Sequence, residues 1–431
     1  MPGTPSFGSP PGSPSPGGGT GETCEPSPTF GGSHDAGMPD IRLLPPRPPC
    51  STPRRTGTLS NPEPEVVDEL ASALPNDAVG GTSPGGTQKY RFISGIGQGS
   101  FGSVHVAEAR DGRKVAIKSV EHDEGREMRE VEILEAIDHP NVVALLESFT
   151  APDRDGKKTL HIVMEYLPKN LHEHIAGKPV DVSSLRCWSF QLLRACMALD
   201  ALHICHRDVK PENVLLDPVQ RVLKLCDFGS AKRLSIGSAS TPYICARWWR
   251  APELVLGSTM YRTSVDWWSC GCVLAEMMRG KPIFAGQTSW DQIGEISKAL
   301  GPPTDDDVRE LVPEGLAPQV AEDLRRLRAT AGPRKSWEEL LPQYAASREV
   351  IDLPRRLLVY NPAARLHPAR SLCCEFFAKL AAEAAQLPPF LFQFSQQELS
   401  SMEAGVASEL LGFSQRALES SPSGDMSFSL G

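Results

Sequence analysis

The stretch His206-Arg207-Asp208-Val209-Lys210-Pro211-Glu212-Asn213 sets a carboxylate, an ammonium and a carboxamide close together in the chain. In this spacing Asp208 is placed to receive a hydroxyl's proton. Lys210 can neutralise charge on a phosphoryl group in transit, and Asn213 can offer an amide oxygen to a metal ion. Asp227-Phe228-Gly229 adds a second carboxylate, a hard oxygen ligand suited to Mg²⁺. Val115-Ala116-Ile117-Lys118 puts a lysine on a predicted strand, and Glu130 follows on a predicted helix. An ion pair between them would hold Lys118 at the α and β phosphates of a nucleotide. Gly97-Gln98-Gly99-Ser100-Phe101-Gly102-Ser103-Val104 is a G-x-G-x-x-G-x-V run, whose glycines let backbone amides approach phosphate oxygens. Alone, that run fits an ordinary hairpin turn as well as a nucleotide loop. A dinucleotide fold wants strand, glycines, then helix; a second strand follows here, which favours a flap over a mononucleotide. Ala251-Pro252-Glu253 closes the segment, with Arg365 as a buried partner for Glu253. Any one triplet is noise; all of them in this order point to phosphoryl transfer.

These groups need a scaffold. Arg91 to Gly97, Ser103 to Ala109 and Lys114 to Val120 read as short strands joined by Gly-rich or Asp-Gly turns. Glu124 to Ala136 reads as a helix, and Val142 to Phe149 and Leu160 to Tyr166 as two more strands. Five strands and one helix make a small α+β lobe. Beyond Pro168 the pattern turns helical. Leu185, Trp188, Leu192, Cys196, Leu199 and His203 recur at three-to-four spacing, one face of a long helix. Val265 to Met278 and Trp290 to Leu300 are further helices, the latter with Ser289 as the expected N-cap. Helical patterns run to about Ala385, and polar sequence follows Pro388-Pro389-Phe390-Leu391-Phe392.

Composition narrows the function classes. Of 431 residues, 44 are Lys or Arg and 53 are Asp or Glu, a net charge of −9 that argues against a whole-chain nucleic-acid binder. No apolar run reaches the ~18 residues that span a bilayer, and the start shows no signal peptide. Pro2 stands where myristoylation needs a glycine. These features, with 11 scattered cysteines lacking zinc spacing, lead to the expectation of a cytoplasmic protein with reduced thiols, with nuclear entry open. Residues 1–87, rich in Pro, Gly and Ser, are expected to be disordered, because such sequence buries too little apolar surface to offset its ordering entropy. The expected division is that tail, a catalytic domain over 88–385 split into lobes 88–166 and 167–385, and a C-terminal tail over 386–431.

The motifs together resemble the eukaryotic protein kinases over about residues 90 to 382. The resemblance implies a bilobal α+β fold flanked by disordered tails, ATP between the lobes, one or two Mg²⁺ ions, and protein substrates. Carried over residue by residue, it implies catalytic roles for Asp208, Lys210, Lys118 and Glu130, and metal-binding roles for Asn213 and Asp227. It implies ATP contacts from Gly97, Gln98, Gly99, Ser100, Phe101, Gly102, Val104, Ala116, Lys118, Met164 as gatekeeper, Glu165, Tyr166 and Leu167 as hinge, Leu215 and Cys226.

Within the kinases, Lys224-Leu225-Cys226-Asp227-Phe228-Gly229-Ser230-Ala231-Lys232 resembles the glycogen synthase kinase-3 (shaggy-like) family. So do Tyr243-Ile244-Cys245-Ala246-Arg247, Gly271-Cys272-Val273-Leu274-Ala275-Glu276, and Phe392 to Ser401 after the core. That resemblance implies a serine/threonine kinase in which Arg129, Arg207 and Lys232 bind a phosphate already present four residues C-terminal to the target. A phosphate of about −1.5 to −2 charge needs several cationic donors to be held specifically. Tyr243 matches a regulatory phosphorylation site. The chain also departs from the pattern. Glu212 stands where Gln is usual and could alter preference for neighbouring substrate residues. Trp248 and Trp249 replace two Tyr. Asp305 to Val320 lacks the loop that helps form a groove for scaffold proteins on the C-lobe. Thr241-Pro242-Tyr243 has the Thr-x-Tyr form of the MAP kinases, so a phosphate on Thr241 could occupy the three cations from within and remove the need for priming. Arg54-Arg55-Thr56-Gly57-Thr58 is loosely similar to an inhibitory pseudosubstrate. A pseudokinase scaffold is the reading from another class; Lys118, Asp208 and Asp227 oppose it.

Overall fold

The computed structural model describes residues 89–99, 102–121, 127–152, 158–235, 237, 239–242 and 244–419. The expected N-terminal tail with its basic stretch, the turn residues Ser100 and Phe101, and Tyr243 lie outside the described residues. So does the side chain of Gln98.

Strands β1 (Tyr90–Gly99), β2 (Gly102–Ala109), β3 (Lys114–Glu121), β4 (Leu145–Pro152) and β5 (Lys158–Glu165) form one antiparallel sheet in the order β1-β2-β3-β5-β4. Alternation sorts β3 cleanly. Val115 and Ile117 go to one face, where they pack with Tyr90, Ala107 and Val163. Ala116 and Lys118 go to the other. Val104 and Ile162 are the cross-strand partners of Lys118, and Met164 that of Ala116, so Val104, Ala116, Lys118 and Met164 share a face. Helix Glu127–Glu135 packs through Val131, Ile133 and Leu134.

The lobe after Glu165 is built on two buried helices. Val182–Ala201 starts on Asp181, whose side chain accepts from the backbone of Ser183 and Ser184, a cap worth about 1 kcal/mol. Ser264–Arg279 crosses it, and Cys196 Sγ meets Cys270 Sγ at 3.0 Å. The nine described cysteines are free thiols. Among the described residues, no helix is long and apolar enough to cross a membrane. Glu253 and Arg365 form the expected pair, a bidentate contact with both bonds at 2.6 Å and both side chains almost wholly buried.

Several boundaries differ from the sequence reading, four of them for identifiable reasons. Val142 and Val143 are extended but do not start β4. Val143 N donates to Leu225 O and Leu225 N to Asn141 O, so that backbone is spent on the other lobe. Helix Val182–Ala201 ends before His203, which has φ +54°. The cap of helix Ser289–Leu300 is Thr288, not Ser289, because Thr288 and Asp291 complete a reciprocal capping box. The expectation of a disordered tail from 386 is corrected for the described part. Pro389–Phe392 and helices Gln396–Ser400 and Ala404–Glu419 bury Leu391, Phe392, Val406, Leu410 and Phe413 in the main core. Residues 420–431 lie outside the described residues. The segment Asp305–Val320 folds as helix Asp305–Leu311 and the start of helix Pro318–Thr330.

Candidate active site

Lys118, on β3, reaches across to two carboxylates. Its Nζ donates to Glu130 Oε1 and Oε2, both at 2.8 Å, and to Asp227 Oδ1 at 2.9 Å. Burial works against the Lys118 charge, but the Glu130 and Asp227 carboxylates outweigh it and raise the ammonium above its ordinary value. Burial alone would also raise Asp227; the neighbouring Lys118 overcomes it and holds Asp227 below the usual carboxylate range. Asp227 sits at φ +63°, which aims its side chain back at the sheet. Gly229 follows it closely: a Cβ there would stand 3.2 Å from Glu130 Oε2 and 3.3 Å from Lys118 Nζ. Only a residue without a side chain leaves the triad undisturbed.

Asp208 is held by three donors. Lys210 Nζ lies 2.6 Å from Oδ2, Asn213 Nδ2 3.1 Å from Oδ2, and Ala246 N 3.0 Å from Oδ1. Asn213 Nδ2 also donates to Asp208 O, which directs its amide oxygen away from Asp208. Cys226 N donates to Asn213 O at 2.9 Å, so the two proposed metal ligands lie on neighbouring backbone. Burial raises the Cys226 thiol far above its ordinary value, so this residue lines the site as an apolar group.

The loop itself is held from below by a residue that the sequence reading missed. Asp266, buried in the first turn of Ser264–Arg279, accepts from His206 N at 2.6 Å and Arg207 N at 2.9 Å. Burial raises its pKa. It fixes Arg207 at φ +67°, a left-handed conformation that costs about 1–3 kcal/mol. The signal in the sequence is only an acid in the first turn of an apolar helix, and nothing in its spacing ties it to a loop so distant in the chain.

The glycine run closes the other side. Gln98 pairs with Ser103 and Gly99 with Gly102 across β1 and β2. Gly102 is required by packing, since a Cβ would meet Ser119 O at 2.1 Å. Gly97 is not, since a Cβ there would meet nothing within 4 Å; the glycine leaves room for a ligand. Met164 and Leu167 are buried; Val104, Ala116, Glu165, Tyr166 and Leu215 are half-buried. Glu165 turns its carboxylate to Ala144 N and to Lys224 Nζ, both at 2.7 Å, and so ties the strand-to-lobe connection to the strand before Asp227.

The three expected phosphate-binding cations are partly brought together. Lys232 lies on a strand paired with Ile204–Cys205, two residues before Arg207. Its Nζ donates to Ser240 Oγ at 2.8 Å. Arg207 donates to Ser230 O at 2.6 Å and to Tyr261 OH at 3.2 Å, and Tyr261 OH donates to Thr241 O at 3.1 Å. Arg129 is exposed on helix Glu127–Glu135, which packs against the Lys232 strand. Ser240 and Tyr261 were not anticipated; only the fold brings them to these cations.

The family model for the protein kinase domain matches residues 90–377. The chain belongs to the protein kinase family. A member transfers the terminal phosphoryl group of ATP to protein, and protein substrates follow from that membership. The donor chemistry fits a hard divalent cation: the Asp227 carboxylate, 39% exposed, and the Asn213 amide oxygen would hold Mg²⁺ alongside the nucleotide's phosphates. When bound, Mg²⁺ supplies charge neutralisation on those phosphates. Lys118, fixed by Glu130, would present its ammonium to them, and Asp208 would orient the attacking hydroxyl and accept its proton. Lys210 beside Asp208 would stabilise the charge that develops on the transferred group.

Proposed function

We propose that this kinase phosphorylates serine or threonine in proteins that already carry a phosphate four residues C-terminal to the target, in the manner of the glycogen synthase kinase-3 family. The carrying observation is the company that Arg207 and Lys232 keep. Among the described residues their side chains donate to carbonyl and hydroxyl oxygens, and no carboxylate pairs with either. An incoming phosphate would exchange neutral acceptors for charge-assisted bonds, which are roughly twice as strong. Arg129, exposed on the helix that packs against the Lys232 strand, is the third cation of this reading. ATP and Mg²⁺ are the cofactors in this reading, held by the residues described above.

The test is ATP-dependent phosphorylation of a Ser-x-x-x-Ser peptide made with and without phosphate on its second Ser. Strong preference for the primed form, lost in Arg129→Ala and Lys232→Ala, is the expected result. Equal rates on both peptides would refute it and direct attention to Thr241. That second reading rests on the Thr241 carbonyl, which shares Tyr261 OH with Arg207. In it, phosphorylation of Thr241 and Tyr243 activates the enzyme in MAP-kinase fashion without priming.

A further inference from the structure

Glu398 lies past the residues matched by the kinase model, yet it is tied to the catalytic cleft. Arg194, on buried helix Val182–Ala201, donates through Nε to Glu398 Oε1 at 2.7 Å and through Nη2 to Oε2 at 2.9 Å. The same guanidinium donates to Phe390 O and Gln393 O and stacks over the Phe394 ring at 4.5 Å. Those contacts anchor the C-terminal segment to the buried helix. Glu398 Oε2 also accepts from Ser395 N at 2.7 Å within its own helix cap, and Oε1 meets His139 Nε2 at 3.2 Å, with the Glu398 and His139 side chains both buried.

His139 belongs to the connection between helix Glu127–Glu135 and β4. Its Nδ1 accepts from Asn141 N at 3.1 Å, so the proton of the neutral ring sits on Nε2, which donates to Glu398. Asn141 is the next link. Its Nδ2 donates to Gln191 Oε1 and Leu223 O, and its carbonyl accepts from Leu225 N, all at 2.9 Å. Leu225 leads through Cys226, itself bonded to Asn213 O, into Asp227.

We propose that Glu398 is a positioning residue for phosphoryl transfer. Through His139 it fixes the connection 136–143, which carries the end of the Glu130 helix and the bonds to Leu225. It thereby keeps Glu130 and Asp227 in register around Lys118. The C-terminal segment is part of the catalytic apparatus in this enzyme, and the inference rests on kinase activity alone, not on the substrate class.

The experiment compares two variants of the full chain. His139→Asn keeps an acceptor where Nδ1 stands but cannot reach Glu398. His139→Gln keeps a donor where Nε2 stands and restores that reach. ATP hydrolysis without peptide is measured at saturating ATP, so that the primed-substrate reading is not at stake. Hydrogen exchange is followed at Leu225 and Cys226 and across 389–419. His139→Asn is expected to lower kcat roughly tenfold, as loss of one bond to a charged group allows. Exchange at Leu225 and Cys226 should quicken while 389–419 stays protected by Arg194. His139→Gln should recover most of the rate. Unchanged kcat in His139→Asn, equal loss in both variants, uniform acceleration of exchange over the whole domain, or failure of His139→Asn to fold would each overturn the proposal. The last two would make the contact a stability element only.

Discussion

Asp266→Asn isolates what holds the catalytic loop. The carboxylate accepts two backbone N–H bonds, from His206 and Arg207, each worth about 1.5–3 kcal/mol as a bond to a charged group. Arg207 at φ +67° costs about 1–3 kcal/mol. Two bonds exceed that strain comfortably, whereas one only matches it. Asparagine keeps one acceptor and turns an NH₂ toward the other amide, so the loop loses its margin. Asp208, one residue on, loses its fixed place. A loss of about 1.5–3 kcal/mol at the transition state is roughly a tenfold to hundredfold fall in kcat. The ATP KM should change little, because Lys118, Glu130 and Asp227 are untouched. Stability should follow a different course. Burial raises the pKa of Asp266, which means that its charge is held at a cost, and asparagine removes that cost along with the bond. Steady-state kinetics at saturating ATP, beside denaturant unfolding of the same preparations, reads both. A kcat within twofold of the parent enzyme would refute the reasoning, and so would a loss of rate that merely tracks a loss of stability.

Gly229→Ala places a methyl 3.2–3.3 Å from Glu130 Oε2, Asp227 Oδ1 and Lys118 Nζ, so a weaker hold on ATP and a several-fold lower kcat/KM are expected, read by kinetics against ATP concentration. Glu276, whose Oε2 accepts from Trp249 Nε1, has its pKa pushed up to about 7, chiefly by burial, from an ordinary 4.5. Its folded pKa lies above the unfolded one, so its contribution is fully present below pH 4.5 and is lost as pH rises through about 7, a change of about 3 kcal/mol. Glu276→Gln, neutral throughout, should therefore gain stability relative to the parent between pH 5 and 8; parallel unfolding midpoints across that range would contradict it.

The placement of Lys118, Glu130 and Asp227 together, and of Asp208, Lys210 and Asn213, was legible because their order along the chain is itself a signature, and the strands beneath them followed from alternation and turn residues. Part of what failed is decided only by tertiary pairing, and part lay in competing local signals. Val142 and Val143 have the β-branched character of a strand and are extended, but their backbone pairs with Leu225 and not with β5. Thr288 and Ser289 can each cap a helix; the position of Asp291 chooses Thr288. The order after Gln386 was readable in part, since Ser395-Gln396-Gln397-Glu398 has capping-box spacing and Val406, Leu410, Phe413 and Ala417 recur at helical intervals. The polar surroundings masked it. Asp266, Tyr261 and Ser240 left no trace of role in the sequence, because each acts on a loop distant in the chain.

The two sets of charged residues are built on opposite principles. Lys118 and Asp208, the residues proposed to meet the ATP phosphates and the attacking hydroxyl, are braced charge against charge: Lys118 by two carboxylates, and Asp208 by an ammonium as well as two neutral donors. Bracing fixes geometry to the tolerance that phosphoryl transfer requires. Arg207 and Lys232 are seated by neutral oxygens, and none of the described residues sets a carboxylate against them or against Arg129. Their positions are held while their charge stays uncompensated. A cation left that way repels its neighbours and weakens the free protein, so a partner of opposite sign recovers more than a rim contact would. Ser240 and Thr241 already lie within the same hydrogen-bonded group. On the proposed reading, any phosphate that comes to these cations, from a substrate or from the enzyme's own loop, would have to displace or recruit that short stretch of chain, and the state of this stretch would set which source wins.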